Sequence, residues 1–376
     1  MENNNFIYKF YYNWWRNLDK TIFSLIIFLF ILGLFFSLAS TSLIASNKLN
    51  TNSYYFFFKH SIFIGIGFFC IIFFSSISQK NLFRISKILF IICFIFLLLV
   101  PIIGVEVKGA KRWIDLYFFR LQPIEILKPF FILMTAKLLT FEKFQNSQIK
   151  YIFSFMLLGS VVILLINQPD LGQSILLIGS WVGTVFISGV SLIYIFLIFL
   201  IFSVLLGSLL FFLPEKFGYI INRLITFIDP SQGDKFQTSS ALDAIKLGGL
   251  TGQGMGEGIL KDSVPEAHTD YVIAVISEEY GSLAAIIILI IFLYISFRII
   301  KNCFNQDNQF LKISLSGLAT LLIFQTFIHA GVNINLLPTT GMTLPFLSYG
   351  GSSLIGNAIL AGLVLNYTKN KSYLYD

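Results

Sequence analysis

The chain has 376 residues, of which 56% are hydrophobic and only 12% charged, and its mean hydropathy is +0.81. Soluble domains carry roughly a quarter charged residues, so this composition excludes one and implies a polytopic membrane protein. The net charge of +7 comes from Lys and Arg scattered between apolar segments, not from a basic tail or stripe, which argues against a nucleic-acid partner.

Residues 1–20 combine Phe6, Tyr8, Trp14 and Trp15 with Lys9, Arg16 and Lys20, too polar and aromatic for a secretory signal and suited to a segment lying at the cytoplasmic membrane surface. A bilayer core requires about 20 apolar residues per helix. That ruler predicts about ten spans, at 22–44, 56–77, 85–104, 121–140, 150–167, 171–189, 191–213, 271–298, 310–334 and 351–367. The fold expected is therefore an all-α polytopic membrane protein, a single domain over 1–376. The cationic residues Lys80, Arg84, Lys87, Lys143, Lys150, Arg298, Lys301, Lys312, Lys369 and Lys371 fall at one set of span ends together with those of the N-terminus. The positive-inside rule makes that set cytoplasmic and, with an even number of spans, both termini cytoplasmic. Cys70 and Cys93 lie in apolar runs and Cys303 near Lys301, a pattern of neither disulfides nor a metal site.

The opposite loops hold the unusual material. They are 105–120, the turn Asn167-Gln168-Pro169-Asp170, the stretch 214–270 between spans seven and eight, and 335–350. Connections beyond about 15 residues are uncommon without a function. The first part of 214–270 repeats apolar residues at helical spacing with Lys216, Arg223 and Asp229 between them, as in a helix lying in the interface. The run from Gly252 to Gly258 has no βαβ unit around it and reads as a flexible loop, with a backbone nest for an anion as the lesser reading. The Pro- and Gly-rich stretch Leu337 to Ser353 cannot be a helix, and irregular backbone near membrane depth must be covered by protein or line a wet cavity. It is a candidate wall for a substrate groove.

Ionisable side chains at membrane depth cost roughly 2.5–3.5 kcal/mol each, which makes them functional suspects. Glu125 and Lys128, three residues apart at the start of span four with Gln122 one turn earlier, can pair on one helical face. They are either an ion pair that merely joins helices or a functional pair, since Lys111, Arg112 and Arg120 just outside make a cationic rim of the kind that holds phosphate oxygens. In Pro265-Glu266-Ala267-His268-Thr269-Asp270, Asp270 is either a dipole-stabilised carboxylate at a helix start or a base for a membrane-bound substrate. His268 suits positioning and Glu266 a ligand role, while Glu278 and Glu279 suit partnership with buried cations or backbone.

The motifs Lys108-Gly109-Ala110-Lys111-Arg112-Trp113-Ile114-Asp115, Gln122-Pro123-Ile124-Glu125 with Lys128, Gln168-Pro169-Asp170-Leu171-Gly172, Pro265 to Asp270 and Leu337 to Ser353 stand in the order found in the SEDS family (shape, elongation, division, sporulation). The chain resembles that family from span three to span ten, and its last motif resembles the FtsW type more than RodA. The resemblance implies ten helices in the bacterial inner membrane, septal polymerisation of lipid II into glycan strands, and work alongside a class B penicillin-binding protein and other divisome proteins. It makes Asp270 the catalytic residue, drawing the proton from an acceptor sugar hydroxyl. Candidate substrate contacts are Arg120, Lys128, Glu125, Gln122, Lys111, Arg112, His268, Glu266 and Gln237, with Ser348, Tyr349 and Gly350 of the irregular segment. A divalent cation, Mg2+ or Mn2+, is compatible with two converging phosphates, although no ligand cluster specifies one. The alternatives are a lipid II flippase, an elongation-type polymerase and a non-catalytic scaffold. Ile124, Gln173, Ser240, Val264 and Thr340 depart from the residues usual in the family.

Overall fold

The computed structural model describes residues 12–38, 54–107, 109–117, 119–142, 147–212, 214–228 and 236–369. Expectations for 1–11, the end of the first span at 39–44, Lys108, Lys143, Asp229 and Lys371 lie outside the described residues.

Helices stand at every predicted span. They are α1 (Lys20–Phe36), α2 (Tyr55–Ser76), α3 (Gln79–Ile103), α4 (Pro123–Leu139), α5 (Ser147–Asn167), α6 (Leu171–Ile187), α7 (Leu192–Phe212), α10 (Val272–Phe304), α11 (Gln309–Asn333) and α12 (Gly351–Tyr367), with α8 (Pro214–Ile228) and α9 (Phe236–Gly248) in the long loop. Among the described residues, five helices are long and apolar enough to cross a membrane by length and composition, and α1, α6 and α12 are shorter apolar helices. Much of their apolar surface faces outward, as at Phe69 (67% exposed) and Phe297 (62%). In water such a surface would aggregate, and against acyl chains it is ordinary.

The helical fold carries one small addition between α3 and α4. Residues 105–121 form a small antiparallel meander, β1 (Val105–Val107), β2 (Ala110–Asp115) and β3 (Arg120–Leu121), in the order β1-β2-β3. Glu106 pairs with Lys111 and Asp115 with Arg120. Gly109, at φ 75° in the first turn, adopts the left-handed conformation the hairpin needs.

α12 is the central helix: every residue from Ser352 to Tyr367 is buried, and it packs on α2 and α4. Asn366 donates to the carbonyls of Phe74, Ser75 and Ile77, closing the C-terminal end of α2, whose last carbonyls lack partners within the helix. At the same end, Asp19 accepts from the amides of Thr21 and Ile22 to start α1 and pairs with Arg298 of α10 at 2.9 Å.

α10 is broken at Gly281 (φ 86°, ψ 160°). The stretch 272–280 is therefore a short helix of its own, and the chain from Gly248 to Gly258 folds onto the break. Gln253 and Gly254 donate their amides to the carbonyls of Glu278 and Glu279 at 2.8 and 3.0 Å. The Glu278 carboxylate accepts from the amide of Leu260 at 2.6 Å, and the Glu279 carboxylate accepts from the amide of Gly256 and pairs with Lys261. The glycine run is thus not the free loop expected. Two of its amides bond backbone carbonyls of α10, and one, that of Gly256, meets the Glu279 carboxylate.

Candidate active site

Asp270 stands one residue ahead of the cap position of α10, which Tyr271 occupies without a side-chain capping bond. The residue is partly exposed, at the positive end of the short helix 272–280. Its position is fixed from two sides. Asn333, the fully buried last residue of α11, donates through Nδ2 to the Asp270 carbonyl at 3.0 Å and accepts at Oδ1 from the Ala274 amide at 3.1 Å. One side chain therefore spans the junction between loop and helix. On the other side, the Tyr349 amide donates to the His268 carbonyl at 3.0 Å, and the His268 ring lies 5.2 Å from Phe56 and 5.8 Å from Tyr349. His268 is a positioning residue in this geometry. Glu266, with φ 51°, accepts from Thr269 through its side chain at 3.2 Å and from the Asp270 amide through its carbonyl at 3.0 Å, so it shapes the turn that presents Asp270.

The irregular segment 338–350 is the wall that faces the carboxylate. Gly341 has φ 68°, and a Cβ added there would stand 3.6 Å from the Asp270 Oδ2 atom. A side chain at 341 would stand against the Asp270 carboxylate. The Tyr349 phenol is pushed up to about 12 by burial, with Tyr55 adding to the shift, so it stays a neutral donor at ordinary pH. Ser348 is buried and its Oγ accepts from the Leu344 amide at 3.0 Å. That bond holds the turn from inside. Gly350 occupies the cap position of α12.

Glu125 and Lys128 form an ion pair at 2.7 Å with side chains only 4% and 3% exposed. Lys128 also donates to Gln325 of α11 at 3.2 Å, Gln173 of α6 donates to Glu125, and Gln325 donates in turn to the Thr343 carbonyl at 3.2 Å. The ammonium is thus inside the bundle and engaged, not on an open rim. Arg112 likewise departs from the expected rim, because its guanidinium donates to the carbonyls of Gln168 and Pro169 and faces Asp170 at 3.9 Å. Burial pushes the Asp170 carboxyl above the usual range, and Arg112 pulls it back. Gln122 donates to Asp170 at 3.0 Å, which makes it part of this internal lock.

Arg120 and Lys111 are the cations that remain outward. Arg120 is 55% exposed and only loosely paired with Asp115 at 3.9 Å, and Lys111 is exposed on β2. Neither Arg120 nor Lys128 is ion-paired with Asp270. Gln237 is exposed in the first turn of α9. The groups are connected through 338–353. Gly341 and Tyr349 meet the Asp270 loop, Thr343 reaches Lys128 through Gln325, and the Ser352 Oγ accepts from the Gln122 amide at 2.9 Å and donates to the Arg120 carbonyl at 3.2 Å. Sequence reasoning missed Gln173, Gln325 and Asn333 as members of this assembly. Uncharged amides in apolar helices are weak signals, although their burial at membrane depth is itself costly unless they are bonded. Among the described residues no three His, Cys, Asp or Glu side chains gather to hold a metal ion.

The chain can be compared with known proteins at this point. A family model described as cell cycle protein, covering FtsW, RodA and SpoVE, matches residues 19–373. Probable peptidoglycan glycosyltransferase FtsW of Thiomicrospira cyclica is 34% identical over 361 residues, 93% of this chain and 91% of that one. The protein of the same description from Caulobacter vibrioides is 29% identical over 362 residues, 96% and 92% of the two chains. Among solved structures, a chain of a peptidoglycan synthase complex studied for the coordination of polymerization and crosslinking superposes with a TM-score of 0.76 at 24% identity, covering 93% of this chain and 97% of that one. The Thermus thermophilus rod shape determining protein RodA gives 0.69 at 24% identity, covering 94% and 97%. These two likenesses speak for the fold. A family model spanning 19–373, a relative 34% identical along nine-tenths of the chain and the shared bundle place this multi-pass membrane protein in the FtsW/RodA/SpoVE family of cell cycle proteins.

Proposed function

We propose that this chain is a peptidoglycan glycosyltransferase that polymerises lipid II during cell division, with Asp270 as its general base. The activity is the one for which its FtsW relatives are named. The observation that carries the site assignment is Asp270 itself, a partly exposed residue at the start of an apolar helix, held by Asn333 through its backbone and facing Gly341 of the irregular segment. In the reaction, Asp270 takes the proton of the acceptor sugar's 4-hydroxyl as that oxygen attacks the anomeric carbon of the lipid-linked donor. The bond from that carbon to the pyrophosphate breaks, and the charge leaves on the undecaprenyl pyrophosphate. A positioned base contributes about 10²- to 10⁴-fold.

The leaving charge needs a cation able to reach it. Exposed Arg120, weakly held by Asp115, is suited to direct contact, with Lys111 exposed toward the other end of β2. Lys128 and Arg112 act differently. Each is matched to a buried carboxylate, and together they hold the helix ends and the 338–353 wall in register, which is the preorganisation that makes fixed dipoles effective. The superposition on a chain of a peptidoglycan synthase complex supports a transpeptidase partner of the class B type. The clustering of Lys and Arg at one set of helix ends supports a cytoplasmic placement of both termini, with Asp270 on the outer side of the bacterial inner membrane at the septum.

The test is polymerisation by the purified protein, with and without that partner, on lipid II in detergent, where there is no membrane to cross. Glycan polymer is the result expected of an enzyme. No polymer under either condition, from protein that promotes lipid II movement across vesicle membranes, would assign a flippase instead.

A further inference from the structure

At the end of the bundle opposite Asp270 there is a second candidate site. α11 starts there and ends at Asn333 beside Asp270, and its 25 residues put the two sites about 37 Å apart at 1.5 Å per residue. A cavity of about 870 Å³ opens there between the first turns of α3 and α11 and the last turns of α4 and α12. Three lysines from three helices line it, Lys80 of α3, Lys137 of α4 and Lys150 of α5, with Glu142 as the one acid of the lining. None of the three lysines forms an ion pair among the described residues, and Lys137 rests 5.9 Å from the Phe83 ring on the cavity wall. An independent observation comes from α12. The Tyr367 side chain, 1% exposed, lines the same cavity, and its buried hydroxyl has no hydrogen-bond partner. α3 begins at Ser78 without a side-chain capping bond, which leaves first-turn amides at the positive end of a long helix in the same wall.

Three ammonium groups with no ion pair among the described residues, a phenol without a hydrogen-bond partner and open helix amides outnumber the single carboxylate of Glu142, and the acceptor they fit is a phosphate. We propose that this cavity seats the phosphodiester headgroup of an anionic phospholipid from the adjoining leaflet, the cytoplasmic one in the orientation proposed above. A lipid is favoured over a free anion because the cavity lies at the ends of apolar helices, where acyl chains run alongside, and because its wall joins Phe83 and other apolar side chains to the cations. Basic groups at this depth are attracted to anionic lipid.

The experiment is native mass spectrometry of the full chain released from nanodiscs of phosphatidylglycerol or of phosphatidylethanolamine, with retained lipid counted against salt. Wild-type protein is expected to retain phosphatidylglycerol and not phosphatidylethanolamine. Each lysine contributes about fivefold in affinity near an anionic surface, so Lys80→Gln/Lys137→Gln/Lys150→Gln is expected to lose roughly a hundredfold. A control that removes the same charge from the same end outside the cavity, Lys20→Gln/Lys87→Gln/Lys301→Gln, keeps the donors that contact the seated headgroup and is expected to lose at least about tenfold less than the cavity variant. Tyr367→Phe is expected to weaken retention severalfold with an unchanged unfolding midpoint. Equal retention by wild type and the cavity variant, or equal loss in both triple variants, would overturn the proposal, as would displacement of the lipid by millimolar inorganic phosphate. The readout is lipid retention, so it stands or falls separately from the glycosyltransferase reading.

Discussion

The Glu125–Lys128 pair gives the sharpest energetic prediction. Its members are 2.7 Å apart with side chains 4% and 3% exposed, and each has one further partner, Gln173 and Gln325. Lys128→Met removes the cation and strands a carboxylate inside the bundle with a single neutral donor. Breaking a buried pair from one side costs about 3–5 kcal/mol. Removing both charges, in Glu125→Gln with Lys128→Met, leaves only neutral groups and should restore most of that loss, giving a coupling energy of about 2 kcal/mol or more. The assay is reversible unfolding in mixed micelles for the wild type, both single variants and the double variant, with lipid II polymerisation measured on the same preparations. The double variant is expected to be stable yet slower, because the 338–353 wall loses its tether through Gln325 and Thr343. Single variants within about 1 kcal/mol of wild type, or strictly additive losses, would refute the reading of these residues as an internal lock.

Three further outcomes follow from the geometry. Asn333→Leu loses the bonds to the Asp270 carbonyl and the Ala274 amide and should cost about 1–3 kcal/mol; kinetics on lipid II should show kcat falling with KM nearly unchanged, whereas a purely structural role would lower the amount of active protein and leave kcat per active molecule intact. Gly281→Ala places a Cβ 2.1 Å from the Leu250 carbonyl at φ 86° and should destabilise by at least about 1–3 kcal/mol, read as an earlier unfolding midpoint. Arg120→Gln should change stability by less than about 1 kcal/mol, because its pair is exposed and loose, while raising KM for lipid II in steady-state assays.

The helices are legible in the sequence because membrane insertion depends on composition over about 20 residues, a sum that survives local irregularity. The break at Gly281 is harder to see, since a lone glycine inside an apolar helix signals at most a tolerated defect and the turn from Gly248 to Gly258 that packs on it is distant in sequence. The meander at 105–121 is short, and its pairing depends on one glycine in the left-handed region. Asp270 stands out because a carboxylate at the seam of a polar loop and an apolar helix is chemically conspicuous. The residues that hold the site are less so. Gln122 meets Ser352 from 230 positions away and Lys128 meets Gln325 from 197, and a single sequence carries no mark of such pairings. Arg112 reads as a rim cation because charge is visible in sequence while direction is not, and the fold turns it inward, whereas the pairing of Lys128 with Glu125 is legible from their spacing of three.

The most direct measurement is lipid II polymerisation by Asp270→Asn and Asp270→Glu beside wild type, with each variant's unfolding midpoint taken on the same preparation. Asparagine keeps the shape and backbone bonds of Asp270 but cannot accept the proton, so Asp270→Asn should fold as wild type and lose at least about 10²-fold in rate, with Asp270→Glu retaining a measurable fraction. Wild-type polymerisation by a folded Asp270→Asn protein would contradict the assignment of this carboxylate as the base.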